Sequence, residues 1–382
     1  MESNKKRRKI LVFIDWYEPG FRAGGPIRSV ANMARRLPYD FSIVTQNHDH
    51  HDETPYANLP VGKWVRLHEN VRVIYLDKER RRSTTYQKIA KTEYFDRIYL
   101  NSMFSYFFSI LPLRIFKKPR QRERIVLAPR GMLKKGALSL KSPKKKFFLF
   151  FAKLSGLYKG ITWHATSEQE KKEIQAIFGN KVRIKVAPNL VNVPENFPAK
   201  NPKESGHLRL VSIARVSPEK NIHEALRYLN DTSKKGKIEY HIYGSKQDEK
   251  YLAECEKIAK GLEHVDVKFF GALEYDKVAS TIAQYDFFYL PTLGENYGHA
   301  IVESMLTGTP VIISDKTPWR HLEKKRAGWD LKNDRILFNQ VLNHCLMMNN
   351  QEYELFSRGA LNFGSGIANN EEDMRKNMNL FI

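Results

Sequence analysis

Cysteine is nearly absent from this sequence: Cys255 and Cys345 are the only two in 382 residues. One pair cannot make the disulfide framework of a small secreted scaffold, so a reducing, cytosolic setting is expected. Long apolar runs are missing too. The densest, YFFSILPLRIF from Tyr106 to Phe116, is broken by Pro112 and Arg114 and falls short of the roughly 18 residues of a membrane span. The basic start, MESNKKRRKILVFIDWY, has the charge of a leader peptide. Asp15 and Trp16 interrupt its apolar part and no small-residue cleavage site follows, so a first strand and a soluble, non-exported protein are expected. No GxGxxG follows that strand, and no P-loop or GxSxG occurs, which disfavours nicotinamide, P-loop and serine-nucleophile chemistry. The stretch HDHHDE, His48 to Glu53, collects metal-ligand residue types. Neighbouring side chains on any regular element diverge, so it reads as a polar loop and not as a metal site.

Acid is scarce in one half only. Residues 1–195 carry 39 basic and 17 acidic residues, whereas 196–382 carry 25 of each, so the whole formal +22 belongs to the first half. From Arg114 to Lys146 there are 13 basic residues and a single acid, Glu123. Such a field attracts phosphate-rich polymers or anionic lipid, and salt weakens it. Nucleic acid is not expected, because zinc-finger spacing, an RNP-like strand and a basic region with heptads are all missing. The basic clusters are mixed with Phe and Leu, which favours an anionic membrane surface over a merely solvated face. In Lys141 to Gly160, a helix from about Pro143 puts Phe147, Phe150, Phe151, Leu154 and Tyr158 on one side, with Lys145, Lys146, Lys153 and Lys159 around it. A core helix would show the same stripe, so the aromatics fit either burial or a membrane.

The hydrophobic pattern alternates between strand and helix. ILVFID (Ile10 to Asp15) is a continuous apolar run, as a buried parallel strand requires. A glycine-bearing loop, EPGFRAGGP, leads into a helical pattern from Ile27 to Leu37. Further strands are expected at Phe41–Thr45, Val71–Tyr75, Arg97–Leu100, Ile125–Ala128 and Ile161–Ala165. Proline-rich, aperiodic Asn189 to Gly206 reads as a linker. The alternation then restarts, with strands at Leu208–Ile213, Ile238–Tyr243, Val265–Phe270, Asp286–Leu290 and Pro310–Ser314. Ser217 is the expected N-cap and Pro218 the first position of the next helix. The expectation is an α/β protein of two Rossmann-like doubly wound domains, residues 1–195 and 196–370, facing each other across a cleft. A helix over about 371–382 is expected to dock on a domain, the first being the candidate.

Two segments of the second half carry chemistry. In ARVSPEKN, Arg215 and Lys220 stand at a strand-to-helix junction, where cations and free N–H groups suit a diphosphate. In PTLGENYGHAIVE, Gly294 and Gly298 bracket a second such turn holding Glu295, and Glu303 lies in the helix beyond. Close-approaching glycines suit phosphate or sugar oxygens, and a helix carboxylate can grip a ribose diol.

Together these pieces resemble the retaining family 4 glycosyltransferases of the GT-B fold. The GGP of Gly24 to Pro26, APRGML from Ala128, WHATSEQE from Trp163, Pro188–Asn189, Tyr243–Gly244 and SDKTPW from Ser314 resemble the family in the same order. The resemblance implies an acceptor-side first domain and a nucleotide-sugar-binding second one. It implies that Arg215 and Lys220 neutralise the donor diphosphate with help from Gly25 and the Tyr297–His299 turn. Glu303 would hold the ribose hydroxyls and Glu295 the transferred sugar. Gly244 and Phe270 would line the base pocket, with Gly24, Asn296, Tyr297, Gly298 and His299 completing the donor site. Asn101 stands where many relatives carry a histidine, so sugar binding is implied there but not proton transfer. The implied donor is a UDP- or GDP-sugar, and no metal or other cofactor is implied. The implied acceptor is a glycan, undecaprenyl-diphosphate-linked, of capsule, O-antigen or exopolysaccharide synthesis at the inner face of the plasma membrane. The rivals are another GT-B enzyme, such as a nucleotide-sugar epimerase or a phosphorylase, and a non-catalytic basic protein binding membrane or polyanion.

Overall fold

The structure, a computed structural model, describes residues 7–134, 142–193 and 199–382. It divides into two compact units, Met1–Leu190 with Glu371–Ile382, and Val191–Asn370. The boundary expected between 195 and 196 lies outside the described residues.

The first unit is built on eight strands: β1 (Lys9–Phe13), β2 (Asp40–Gln46), β3 (Trp64–His68), β4 (Val71–Leu76), β5 (Arg97–Leu100), β6 (Ile125–Leu127), β7 (Thr162–Ala165) and β8 (Arg183–Val186). They lie in the order β3-β4-β2-β1-β5-β6-β7-β8, parallel except for β3, which runs antiparallel to β4. Alternate residues of β1 feed two cores. Ile10 and Val12 meet Val30 and Ala34 of helix Gly25–Arg36, while Leu11 and Phe13 join Tyr86, Phe108 and Phe116 on the other face. Burial on both faces explains why β1 is an uninterrupted apolar run. Helix Glu371–Asn379 belongs to this unit. Leu380 and Phe381 are buried beyond its end, Phe381 packs against Tyr39, Phe41 and Tyr99, and the Arg8 guanidinium donates to the Phe381 carbonyl at 2.7 Å.

In the second unit, β9 (His207–Ile213), β10 (Lys237–Tyr243), β11 (Val265–Phe270), β12 (Phe287–Leu290), β13 (Val311–Ser314) and β14 (Gly328–Leu331) form a wholly parallel sheet. Its order is β11-β10-β9-β12-β13-β14, the doubly wound arrangement whose direction reverses between β9 and β12. In the first unit the reversal falls between β1 and β5. Loops leaving the carboxyl ends of two such strands diverge and open a crevice. The expected α/β architecture of two doubly wound domains is therefore what the molecule contains. Strands β3, β8 and β14 and the helices Arg335–Met347 and Asn350–Ala368 add to the expected elements.

One local expectation changes. Pro218–Lys220 is a single 3-10 turn, Asn221 takes a left-handed conformation (φ 60°), and the α-helix begins only at Ile222. Ser217 makes no capping bond; its buried hydroxyl has no hydrogen-bond partner. No helix among the described residues is long and apolar enough to cross a membrane.

Candidate functional site

In the second unit, the loops after β9 and β12 leave the two strands that flank the reversal, and hydrogen bonds tie them together. The Glu219 carbonyl accepts from the Leu293 N–H at 2.8 Å and from the Thr292 hydroxyl at 3.0 Å. The Asn221 amide donates to the Pro291 carbonyl at 2.9 Å. That bond accounts for the left-handed Asn221, since asparagine tolerates the conformation and its short amide reaches the neighbouring loop. The result brings Lys220 and Glu295, 75 positions apart, to 2.5 Å. The Lys220 ammonium is largely removed from water, and a carboxylate partner lowers the cost of holding it there. Arg215, just past β9, is exposed to solvent.

Gly298, at φ 76°, precedes helix His299–Leu306, and a Cβ there would stand 2.7 Å from Ile301 Cδ1. Glycine is required on both counts. The turn is held by the Trp319 indole, which donates to the Tyr297 carbonyl at 2.7 Å, and by the Glu295 N–H on the Lys316 carbonyl at 2.9 Å. These two bonds give the SDKTPW segment its place. Glu303 is buried in the second turn of that helix. Where β9 and β10 end, a Cβ on Gly244 would lie 1.8 Å from the Ala214 carbonyl oxygen, so only glycine fits. Half-exposed Phe270 stacks face to face on Tyr243 at 4.6 Å, forming a flat aromatic surface at the ends of β10 and β11. A separate hollow of about 750 Å³, lined by Gly206, Lys237 and Val265, lies at the opposite end of this sheet.

The first unit holds Gly24, Gly25 and Asn101. Gly24 is left-handed (φ 67°), neither glycine has an atom near its would-be Cβ, and helix Gly25–Arg36 starts without a side-chain cap. Asn101 is buried just beyond β5. Its oxygen accepts from Arg130 Nε at 2.7 Å and its amide donates to the Pro26 carbonyl at 3.3 Å, which links strand end to glycine loop. Arg130 also donates to Asn189 and, at 2.8 Å, to the Tyr99 hydroxyl. Tyr99 in turn lies 2.7 Å from His164 Nδ1, and His164 Nε2 lies 2.7 Å from the Ala187 carbonyl. A carbonyl only accepts, so Nε2 carries the hydrogen and Nδ1 accepts from Tyr99. Burial and then Arg130 hold His164 neutral, with its pKa down at about 3, and burial pushes Tyr99 up to about 12. APRGML, WHATSEQE and Pro188–Asn189 thus meet in one network.

Sequence reading missed a role for Asp15. It sits past the end of β1, accepts from the Ser105 hydroxyl at 2.7 Å, and burial raises its pKa. The available signal was an acid closing the first apolar strand. In HDHHDE, Asp49 accepts from the N–H groups of Phe21, Arg22 and His50. Its carboxylate organises the loop, and no metal-binding cluster of three or more His, Cys, Asp or Glu occurs among the described residues. Burial pushes the Cys255 thiol up to about 11, which makes it a poor nucleophile.

Residues 193–334 match the family model of glycosyl transferases group 1. That match lies within the second unit and covers less than half of the chain. The match contains every residue assembled above in the second unit. An alpha-monoglucosyldiacylglycerol synthase of Streptococcus pneumoniae (strain ATCC BAA-255 / R6) is 33% identical over 111 residues, 28% of this chain and 24% of that protein. The matched stretch thus spans about a quarter of that relative. Among solved structures, sucrose-phosphate synthase from Thermosynechococcus elongatus is similar with a TM-score of 0.74 at 14% identity, over 98% of both chains. Anabaena HepE, in complex with UDP-glucose, gives 0.68 at 17% identity, over 97% of this chain and 98% of that one. At such identities the likeness is one of fold, and that fold is GT-B.

Proposed function

We propose that the chain is a retaining glycosyltransferase of the family 4 type, moving a sugar from a nucleoside-diphosphate sugar, UDP or GDP, to a glycan acceptor. The observation that carries the reading is the Lys220–Glu295 pair, built from two loops at the strand-order reversal, with Arg215 earlier in the first of those loops. As the acceptor oxygen bonds to the anomeric carbon, the bond from that carbon to the diphosphate breaks; the departing phosphate oxygen brings a third negative charge to the diphosphate and takes the acceptor hydroxyl's proton. Arg215 and Lys220 supply two cations there, and the N-terminus of helix His299–Leu306 adds oriented N–H groups. No step then needs a metal. When the diphosphate takes Lys220, the Glu295 carboxylate becomes available to sugar hydroxyls. Glu303 takes the ribose diol, and the Tyr243–Phe270 surface stacks the base. Asn296, Tyr297, Gly298 and His299 complete the second unit's donor contacts. Asn101 is assigned a positioning role, because its bonds to Arg130 and Pro26 hold the glycine loop.

That HepE was solved with UDP-glucose supports a UDP-sugar donor. A relative named for a diacylglycerol product supports a lipid-borne acceptor, here an undecaprenyl-diphosphate-linked glycan of surface polysaccharide synthesis at the cytoplasmic membrane face. The test is transfer from radiolabelled UDP- and GDP-sugars to lipid extracts in excess EDTA, with the product anomer read by NMR. Continued transfer with retained configuration is expected. Complete loss restored by Mn²⁺, or an inverted product, would contradict the proposal.

A further inference from the structure

Helix Ser142–Leu154 in the first unit has two apolar sides, and the core uses one. Leu149 and Ala152 are buried and Phe148 packs partly beside them. Phe147, Phe150, Phe151 and Leu154 remain 68%, 63%, 46% and 75% exposed. At about 100° per residue those four positions fall within one arc of roughly 100°, opposite the buried side. Phe151 lies 4.5 Å from Phe147 and 5.4 Å from Phe150, so the rings make one continuous ridge. Tyr158, expected on the same stripe, lies beyond the helix end and is buried, donating to the Met103 carbonyl at 2.6 Å. A helix face turned to water normally carries polar residues at this spacing. Here it carries three phenylalanines and a leucine.

Exposed Lys144 borders the ridge on one side, and exposed Lys146 and Lys153 border it on the other. Next to it runs a groove of about 610 Å³ whose lining includes Arg114, Lys117, Arg122, Phe148 and Phe151. Among the described residues, no acid lines it. Arg122 is anchored by donating to the Leu157 carbonyl. An aromatic ridge framed by lysines, beside an acid-free cationic groove, is complementary to an anionic bilayer: rings enter the interface while long cations stay at the headgroups. Pairing this face with a second copy of itself would instead bring like charges together.

We propose that this face docks on anionic phospholipid, with the Phe147–Leu154 ridge entering the headgroup–acyl boundary and a lipid phosphate seated among Arg114, Lys117 and Arg122. The inference deepens the lipid-linked-acceptor reading and rests on it only for its purpose.

The test is flotation of the full-length protein with vesicles of phosphatidylcholine alone or with about 30% phosphatidylglycerol. Binding is expected to the anionic vesicles and not the neutral ones, and to weaken without vanishing at about 0.5 M salt. F147S/F150S should lower binding at least tenfold, and R114Q/K117Q should abolish the preference for anionic lipid. Because a ridge change could also harm folding, the F150W variant supplies a second readout: its indole fluorescence should shift to the blue on anionic vesicles and be quenched by acyl-brominated lipid. Wild-type indifference to phosphatidylglycerol, unchanged binding by F147S/F150S, or F150W fluorescence unmoved by lipid would each overturn the proposal. So would a dimer that F147S/F150S converts to monomer. Hydrolysis of UDP-sugar, measured without vesicles, separates the two readings. A protein that floats but hydrolyses no nucleotide sugar keeps the docking surface and loses the transferase reading.

Discussion

The two units share a strand arrangement and differ in what they place at its reversal point. In the second unit the site is ionic: Arg215 faces solvent and Lys220 meets Glu295 at 2.5 Å. In the first it is a chain of hydrogen bonds running from Asn101 through Arg130 and Tyr99 to a neutral His164. The overall charges run the other way, since the first 195 residues carry the full excess of +22 and the remainder none. Net charge and local chemistry are thus separate instructions. The basic half carries exposed charge around helix Ser142–Leu154, while the neutral half buries Lys220 against Glu295 at its strand-order reversal. A doubly wound sheet supplies the crevice in both cases, and side chains decide what the crevice does.

The sharpest way to break the contrast is to remove the ionic centre. Arg215→Ala and Lys220→Ala should each lower kcat by one to three powers of ten, about 1.4–4 kcal/mol of transition-state stabilisation, with an unchanged circular dichroism spectrum. Near-normal turnover in both would make the second unit's ions structural only. Glu295→Gln separates the two members of the pair. It removes the carboxylate that competes with a diphosphate for Lys220, so UDP should bind at least as tightly while transfer falls tenfold or more. Weaker UDP binding in this variant would mean that Glu295 serves mainly to hold Lys220 in place.

The hydrogen-bonded side is tested through stability, not turnover. His164 ordinarily titrates near 6.5 but is held at about 3 in the folded protein. The unfolded chain therefore binds the extra proton first. Stability from this residue is present above about pH 6.5 and is lost as pH falls toward 3, at up to about 1.4 kcal/mol per pH unit. Asp15, raised by burial from 3.8, acts with the opposite sign, losing its contribution as pH rises above that value. The measurement is a difference: urea unfolding of wild type and His164→Gln between pH 7 and 4. Wild type should lose more stability on acidification than the variant, and parallel curves would show that His164 is not neutral and buried in this way.

Much of this was legible in the sequence because buried parallel strands announce themselves. ILVFI and PVII are apolar without a break, since both faces of the sheet are covered. Edge strands are not so marked. β3 and β8 are half-exposed and mixed in composition, and β3 is antiparallel, so neither stood out. The last two long helices were also missed, although Asp334 and Asn349 cap them from positions the sequence displays. For the candidate site, spacing singled out Arg215, Lys220, Glu295 and Glu303, because strand-to-helix turns with glycine carry their own signal. What spacing could not show was that Lys220 and Glu295 touch, since that depends on Asn221 and Glu219 lacing two loops together. Likewise the helix at Ser142–Leu154 reads as a stripe of aromatics, and only packing decides which rings the core takes.

The central claim is that the second unit holds a nucleoside diphosphate through Arg215 and Lys220. Thermal unfolding with a panel of UDP, GDP, dTDP and CMP, and their sugars, tests it most directly, because a ligand selective for the native state raises the midpoint. The account predicts that UDP or GDP and its sugar raise the Tm of the wild type, and that the R215A/K220A variant shows no such rise. An equal rise in that variant, or none with any nucleotide in the wild type, would contradict it.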